Sequence, residues 1–371
     1  MQPAVLTLAR AATLAVALTA GLGAGSPAVF AQERRAVHAS MTFNAEAGPL
    51  QTSACLELTE RVYPAAKWWE TAVGEGAAAD RAFKAVIAAI RARDRAALLK
   101  LTDPTQARDT PQFDRQANAF FAQFQSIQMV AVPRAYEFDG LVVFFGTFKS
   151  EDQTAVVPLV FAHQGADRFG FLPARAKGVT FTLVTEWFTA TAGPGRDTPA
   201  YCDAPAVKRA THRVALGGSS WRPSLLLLTG APLDAPGSLA ASATRVTSTI
   251  ERMKAALRGP DVPAFLSHMT PEGAGQLKPW LETAPAVETE AYKTAFIGQQ
   301  PFFVFDESPL VVVYTRTPSG QVQVLYFTAS ADNRLLWTNS AYITVADQVF
   351  KQGRLLTAAG SAQPFSELTI K

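Results

Sequence analysis

Phe83, Val86, Ile87 and Ile90 recur at spacings of three and four, which predicts an amphipathic helix over about 78–92 with one apolar stripe. The run closes on Arg91-Ala92-Arg93-Asp94. Asp94 stands where a short second helix, 95–101, needs an N-cap to accept from its unpaired amide groups. A third helical piece spans Gln116–Phe124. Alternating and β-branched runs then predict strands around Ile127–Val132, Leu141–Phe148, Thr154–His163, Arg168–Pro173 and Val179–Phe188. Turn chemistry separates them at Asp139-Gly140, Ser150-Glu151-Asp152 and Gly165-Ala166-Asp167.

The same order returns about 166 residues later. Ile250–Leu257 leads into Arg258-Gly259-Pro260-Asp261, Pro263 falls in the first turn of the next helix, and Ala264-Phe265-Leu266 answers Ala97-Leu98-Leu99. Thr270-Pro271 answers Asp103-Pro104, and Val324-Leu325-Tyr326-Phe327 with Arg334 and Trp337 answers Pro158-Leu159-Val160-Phe161 with Arg168 and Phe171. Strands are predicted at Phe302–Phe305, Leu310–Thr317, Val322–Ala329, Leu335–Asn339 and Ile343–Val349. So long a period means two copies of one domain, and helices followed by an antiparallel meander make each copy α+β.

The first copy covers 77–190 and the second 244–353. An ordered connector, 191–243, holds strands at Arg213–Leu216 and Ser224–Leu228. An N-terminal segment, 32–76, carries an expected helix around Cys55–Val62 and a Trp68-Trp69 packing pair; the tail, 354–371, is expected to be weakly structured. The strand Leu141–Phe148 is apolar on both faces, Val143 and Phe145 alternating with Val142, Phe144 and Phe148. A meander open to water on one side would alternate apolar with polar, so its second face requires a cover. The nearest is the sheet of the other copy, where Val311 and Val313 alternate with Val312 and Tyr314, giving an intramolecular pseudo-dimer; a second chain is the rival.

Residues 1–31 have the form of a secretory leader, with Arg10, an apolar Ala11–Leu22 stretch, helix-breaking Gly21, Gly23, Gly25 and Pro27, and Val29-Phe30-Ala31 before the cut. The expectation is a periplasmic or secreted protein with no integral membrane segment once the leader is removed. In an oxidising compartment Cys55 and Cys202 suggest one disulfide, the alternative being two buried thiols. The net charge of +3 arises from 34 basic and 31 acidic residues without a long basic run, which argues against nucleic acid as a partner.

The element order, carried by Ile90, Asp94, Leu98-Leu99, Asp103-Pro104, Leu141–Phe148 and Arg168–Phe171 and by their partners in the second copy, resembles the nuclear transport factor 2-like superfamily. That superfamily includes ketosteroid isomerases, polyketide cyclases and many binding or scaffolding domains. The resemblance implies a cone with a pocket between helices and concave sheet, and implies no particular reaction.

Chemistry-bearing patterns are sparse. His38, His163, His212 and His268 are scattered singly, so metal ligation lacks any sequence motif. Gly217-Gly218-Ser219-Ser220-Trp221 lacks the spacing of a nucleophile elbow, and no glycine-rich phosphate loop follows a strand, so no cofactor is implied. Asp94 and Asp261 are accounted for as caps. The remaining candidates are Tyr314 and Arg316 on one face of a strand, with Tyr326 on the next, able to grip an anionic or hydroxylated ligand. No catalytic set emerges, and the pattern favours a binding or interaction module for a small apolar ligand or a protein partner. The alternative is an isomerase, cyclase or lyase using one pocket.

Overall fold

The computed structural model describes residues 31–45, 48–64, 67–71, 76–108, 111–126, 128–150, 153–173, 178–192, 200–217, 219, 221–259, 261–330, 332–338, 344–356 and 362–364. The leader up to Phe30, the Glu151-Asp152 turn, Gly218, Ser220, Pro260 and the strand ends expected at Ile127, Asn339 and Ile343 lie outside the described residues.

In chain order the elements begin with strands β1 (Ala31–Ala45) and β2 (Gly48–Val62), then helices α1 (Ala78–Ala92), α2 (Arg95–Leu101) and α3 (Pro111–Ser126). The meander of the first unit is β3 (Gln128–Phe138), β4 (Leu141–Lys149), β5 (Thr154–His163) and β6 (Phe169–Leu172). Next come α4 (Val179–Thr191), α5 (Ala204–Arg209), β7 (His212–Leu216), β8 (Ser224–Leu228) and β9 (Gly230–Pro232). The second unit continues with α6 (Ala240–Arg258), α7 (Val262–Leu266), α8 (Pro271–Thr283), α9 (Ala286–Ile297), β10 (Gln300–Glu307), β11 (Leu310–Arg316), β12 (Val322–Ala329) and β13 (Leu335–Thr338). Helix α10 (Thr344–Gln352) and strands β14 (Arg354–Leu356) and β15 (Ala362–Pro364) complete the chain.

The fold is α+β, with two antiparallel sheets that give two units. The first sheet runs β15-β14-β7-β8-β2-β3-β4-β5-β6, with β1 also on β2, and the second runs β13-β12-β11-β10-β9. Strand β2 organises the larger sheet. Strand β1 takes one of its edges from Ala31↔Val62 to Ala45↔Gly48, while the other is shared between β8 at Cys55–Glu57 and β3 at Thr59–Val62. Asp139 and Gly140, both at positive φ, form the two-residue hairpin between Phe138 and Leu141, a mirror-type turn that matches strand twist. Among the described residues no helix is long and apolar enough to cross a membrane.

Both units use one local device. Asp94 accepts from Ala97 N and caps α2; Asp261 accepts from Ala264 N and caps α7. After each short helix the chain docks in parallel on the last strand of its sheet, Thr102 on Phe171 in the first unit and Met269 on Trp337 in the second. These are the positions paired across the two copies in the sequence.

Four expected elements differ. Cys55–Val62 is the strand β2: Leu56, Leu58 and Glu60 point one way while Arg61 and Tyr63 join the helix-side packing, a period of two that overrides the helix propensity of Leu, Glu and Arg. Val179–Phe188 lies in helix α4 despite its β-branched and aromatic content, because Phe181, Val184, Trp187 and Phe188 then fall on one buried face. The strand expected up to Val349 is helix α10, whose Val349 and Phe350 are buried. Part of the tail is ordered, β14 and β15 extending the first sheet beyond β7.

Among the described residues, three large apolar clusters fill the interior, beside a small one around Cys55, Leu225 and Leu227. Val142, Phe144 and Phe148 face the helices of the first unit, with the Phe83 ring tilted against Phe144 at 4.5 Å. Val311 and Val313 face α6–α9 in the second. The third cluster takes side chains from both sheets: Val143, Phe145 and Val160 from the first, Phe303, Phe305, Val312, Tyr314 and Tyr326 from the second. Helices α4 and α10 contribute heavily to it, Phe188 stacking 3.7 Å from Phe145. The cover of Phe145 is thus an aromatic helix, and direct contact between the units occurs near His212, whose ring lies 5.2 Å from Phe303.

Candidate functional site

The second unit holds a cavity of about 420 Å³ between α8, α9 and the sheet. Thr270 caps α8 by accepting from Gly273 N, and its own N–H donates to Trp337 O at 2.9 Å, so the start of α8 is fastened to β13 beside the cavity. Met269, Leu277, Trp280, Leu325 and Trp337 supply an apolar and aromatic lining. Trp280 meets Tyr292 edge-on at 5.4 Å, and Phe296 lies 5.5 Å from Trp337 behind it. The polar side chains are few: Gln276, Tyr292, Tyr326, Thr338 and Lys351.

Tyr292 is the informative one. Its hydroxyl is buried and has no hydrogen-bond partner among the described residues. Burial pushes the phenol above its ordinary range, so it stays protonated as a donor. An unspent donor in an apolar cleft costs free energy unless something accepts from it.

Of the three residues singled out in the sequence, Tyr326 reaches the cavity wall. Its hydroxyl donates to Asp347 Oδ1 at 2.7 Å, while Lys351 pairs with Asp347 Oδ2 at 2.9 Å, tying α10 to β12. Tyr314 is fully buried in the cluster shared by both sheets and donates to Phe350 O. Arg316 lies over the Phe302 ring, 5.4 Å from its centroid. Tyr314 and Tyr326 thus share one buried cluster, with their hydroxyls engaged by Phe350 O and Asp347, while Arg316 lies against Phe302. Sequence reasoning missed Trp280, Tyr292 and Trp337; only the position of Trp337 opposite Phe171 marked it.

Most of the buried charge among the described residues lies elsewhere, in the first unit. Arg61 donates to Asp80 Oδ1 at 2.8 Å and also pairs with Glu137, while the Tyr63 hydroxyl donates to Asp80 at 2.6 Å. On the opposite side of β2, Glu60 accepts from Arg134, Tyr136 and Tyr201. Asp80 and Tyr63 form an acid–phenol pair of the kind an isomerase could use, but Arg61 and tight aromatic packing enclose them, Tyr63 stacking 4.1 Å from Trp68. These networks fasten β2 to α1, β3 and the connector.

A second cleft, of about 730 Å³, runs between the units past Cys55, Arg209, Thr229, Asp306 and Glu307. Burial pushes the Glu307 carboxyl up to about 7; Asp306 adds to the rise, while the Thr229 N–H and Arg209 oppose it. A carboxyl whose folded pKa is raised favours the folded state when protonated, so its ionisation destabilises the fold progressively from about pH 4.5 to 7. Glu307→Gln should therefore stabilise the protein at pH 8 by up to about 3 kcal/mol and change little at pH 4. Thermal melts at both values check this.

Searches against protein-family models, curated proteins and solved structures find no match to this chain.

Proposed function

We propose that the protein is an exported binding protein whose second unit holds a small, largely apolar or aromatic ligand bearing a hydrogen-bond acceptor. The observation that carries this reading is the unpartnered Tyr292 hydroxyl in a cavity walled by Trp280, Trp337, Leu277 and Met269. A cleft with apolar walls and few convergent polar groups is what small-molecule sites look like, and its volume lies at the lower end of their range. The nuclear transport factor 2-like resemblance supports the same place, between helices and sheet. The first unit serves as scaffold in this account: its corresponding region is packed with rings, Phe120 lying 5.4 Å and Phe161 5.5 Å from Phe171. The cluster drawing on both sheets supports a pseudo-dimer within one chain.

Binding is favoured over catalysis because no carboxylate is among the described residues that line the cavity, and Asp347 beside its wall already has both oxygens engaged by Tyr326 and Lys351.

The test uses 2-naphthoate, an aromatic ring with an acceptor head. Tryptophan fluorescence should titrate saturably with a Kd of about 10–100 μM. Leu277→Trp, which fills the cavity, should abolish the response. Tyr292→Phe should weaken binding about 3- to 10-fold without lowering stability, since the hydroxyl leaves no native partner behind. Equal affinity in all three proteins would remove the site from the cavity.

A further inference from the structure

His38, Cys55 and Cys202 bring one imidazole nitrogen and two sulfurs within 4.8 Å of one another, and we infer that this trio, once reduced, binds a soft d10 cation of the Cu+ or Zn2+ kind. The two cysteines lie at disulfide distance, with Cα atoms 6.0 Å apart. Two thiolates and an imidazole around such a cation, at metal–sulfur and metal–nitrogen distances of about 2.3 and 2.0 Å, leave the donors some 3–4 Å apart. Side-chain rotation that parts the sulfurs reaches that spacing.

The backbone holds the three donors in place without help from the sulfur link. His38 and Cys55 face each other across the β1–β2 ladder. Cys202 N donates to Ala36 O at 2.8 Å, and Tyr201 bridges Val37 one residue earlier. The Ser53 hydroxyl sits 3.2 Å from His38 Nδ1 and orients the ring, as an outer hydrogen bond does for a ligating histidine. Leu225, Leu227, Ala206 and Val207 surround the sulfurs with apolar groups that limit water, while the inter-unit cleft gives access to Cys55. Soft thiolates with one imidazole select Cu+ or Zn2+ over hard cations. No sequence motif announces the site, because its ligands come from β1, β2 and the connector.

The chemistry balances with an external dithiol. It transfers two electrons and two protons to the sulfur–sulfur bond, leaving as its own disulfide and producing two thiols; cation binding then releases the thiol protons.

The full chain, reduced with a phosphine and freed of it under argon, is titrated with Co2+ as the spectroscopic stand-in for Zn2+. The expected result is a thiolate-to-cobalt absorption band saturating at one equivalent, displaced stoichiometrically by Zn2+ or by Cu+, and absent from the unreduced protein. His38→Gln, a substitution at a partly exposed strand position, should weaken binding at least tenfold while leaving the circular dichroism unchanged. A second readout uses reoxidation by diamide, which bound Zn2+ should slow in the wild type and not in His38→Gln. No band in the reduced wild type, or a wild type that binds and reoxidises as His38→Gln does, overturns the inference.

Discussion

Arg61→Met is expected to destabilise the fold by about 3–5 kcal/mol, because it leaves two carboxylates buried without their cation. Asp80 and Glu137 are 0% and 1% exposed, and both pair with the one guanidinium. Glu137 keeps partial compensation from Gln32 and from Arg222 at 3.3 Å, whereas Asp80 keeps the Tyr63 hydroxyl and the Ala77 N–H. The same surroundings raise the Arg61 pKa, its phenol and carboxylate neighbours outweighing desolvation, so the side chain is charged throughout the accessible range. Urea denaturation measures the loss. A variant within about 1 kcal/mol of the wild type would mean that the network contributes nothing beyond what methionine packing replaces.

Cys202→Ser should have an effect of similar size by a different route. A bond between residues 147 apart in sequence removes loop-closure entropy worth about 5 kcal/mol from the unfolded chain. It joins β2 to the connector. The variant and the wild type should differ under oxidising conditions and converge in excess reductant. Equal midpoints without reductant would mean the sulfurs are thiols.

Much of the architecture was legible because it rests on local rules. The stripe of Phe83, Val86, Ile87 and Ile90 is buried in full, and Asp94 and Asp261 cap as their positions require. Asp139-Gly140 specified its hairpin from backbone conformation alone. What was not legible depended on partners remote in sequence. Strand β2 became a strand because β1, β3 and β8 offered it two edges, and α4 became a helix because burial against Phe145 outweighs the strand preference of its Thr, Val and Phe residues. The apolar second face of β4 correctly called for a cover, yet much of that cover is helical, so Phe145 and not Phe144 probes it.

The candidate site was the least legible part. Tyr314 and Arg316 share one strand face and Tyr326 lies on the next strand, but Tyr314 is fully buried with its hydroxyl on Phe350 O, while Arg316 at the strand end lies over Phe302. The cavity takes its walls from α8 and α9, whose Trp280 and Tyr292 carry no motif and acquire meaning only when the helices close over β12 and β13.

Methyl NMR tests the central claim most directly. The chain has five methionines. Met269 lines the cavity, while Met41 and Met129 lie in other clusters. With 2-naphthoate added, ring currents should shift the Met269 methyl saturably, at the affinity seen by fluorescence, and leave Met41 and Met129 unmoved. A Met269 signal that stays fixed while the probe binds, or no binding up to millimolar probe, would contradict the account.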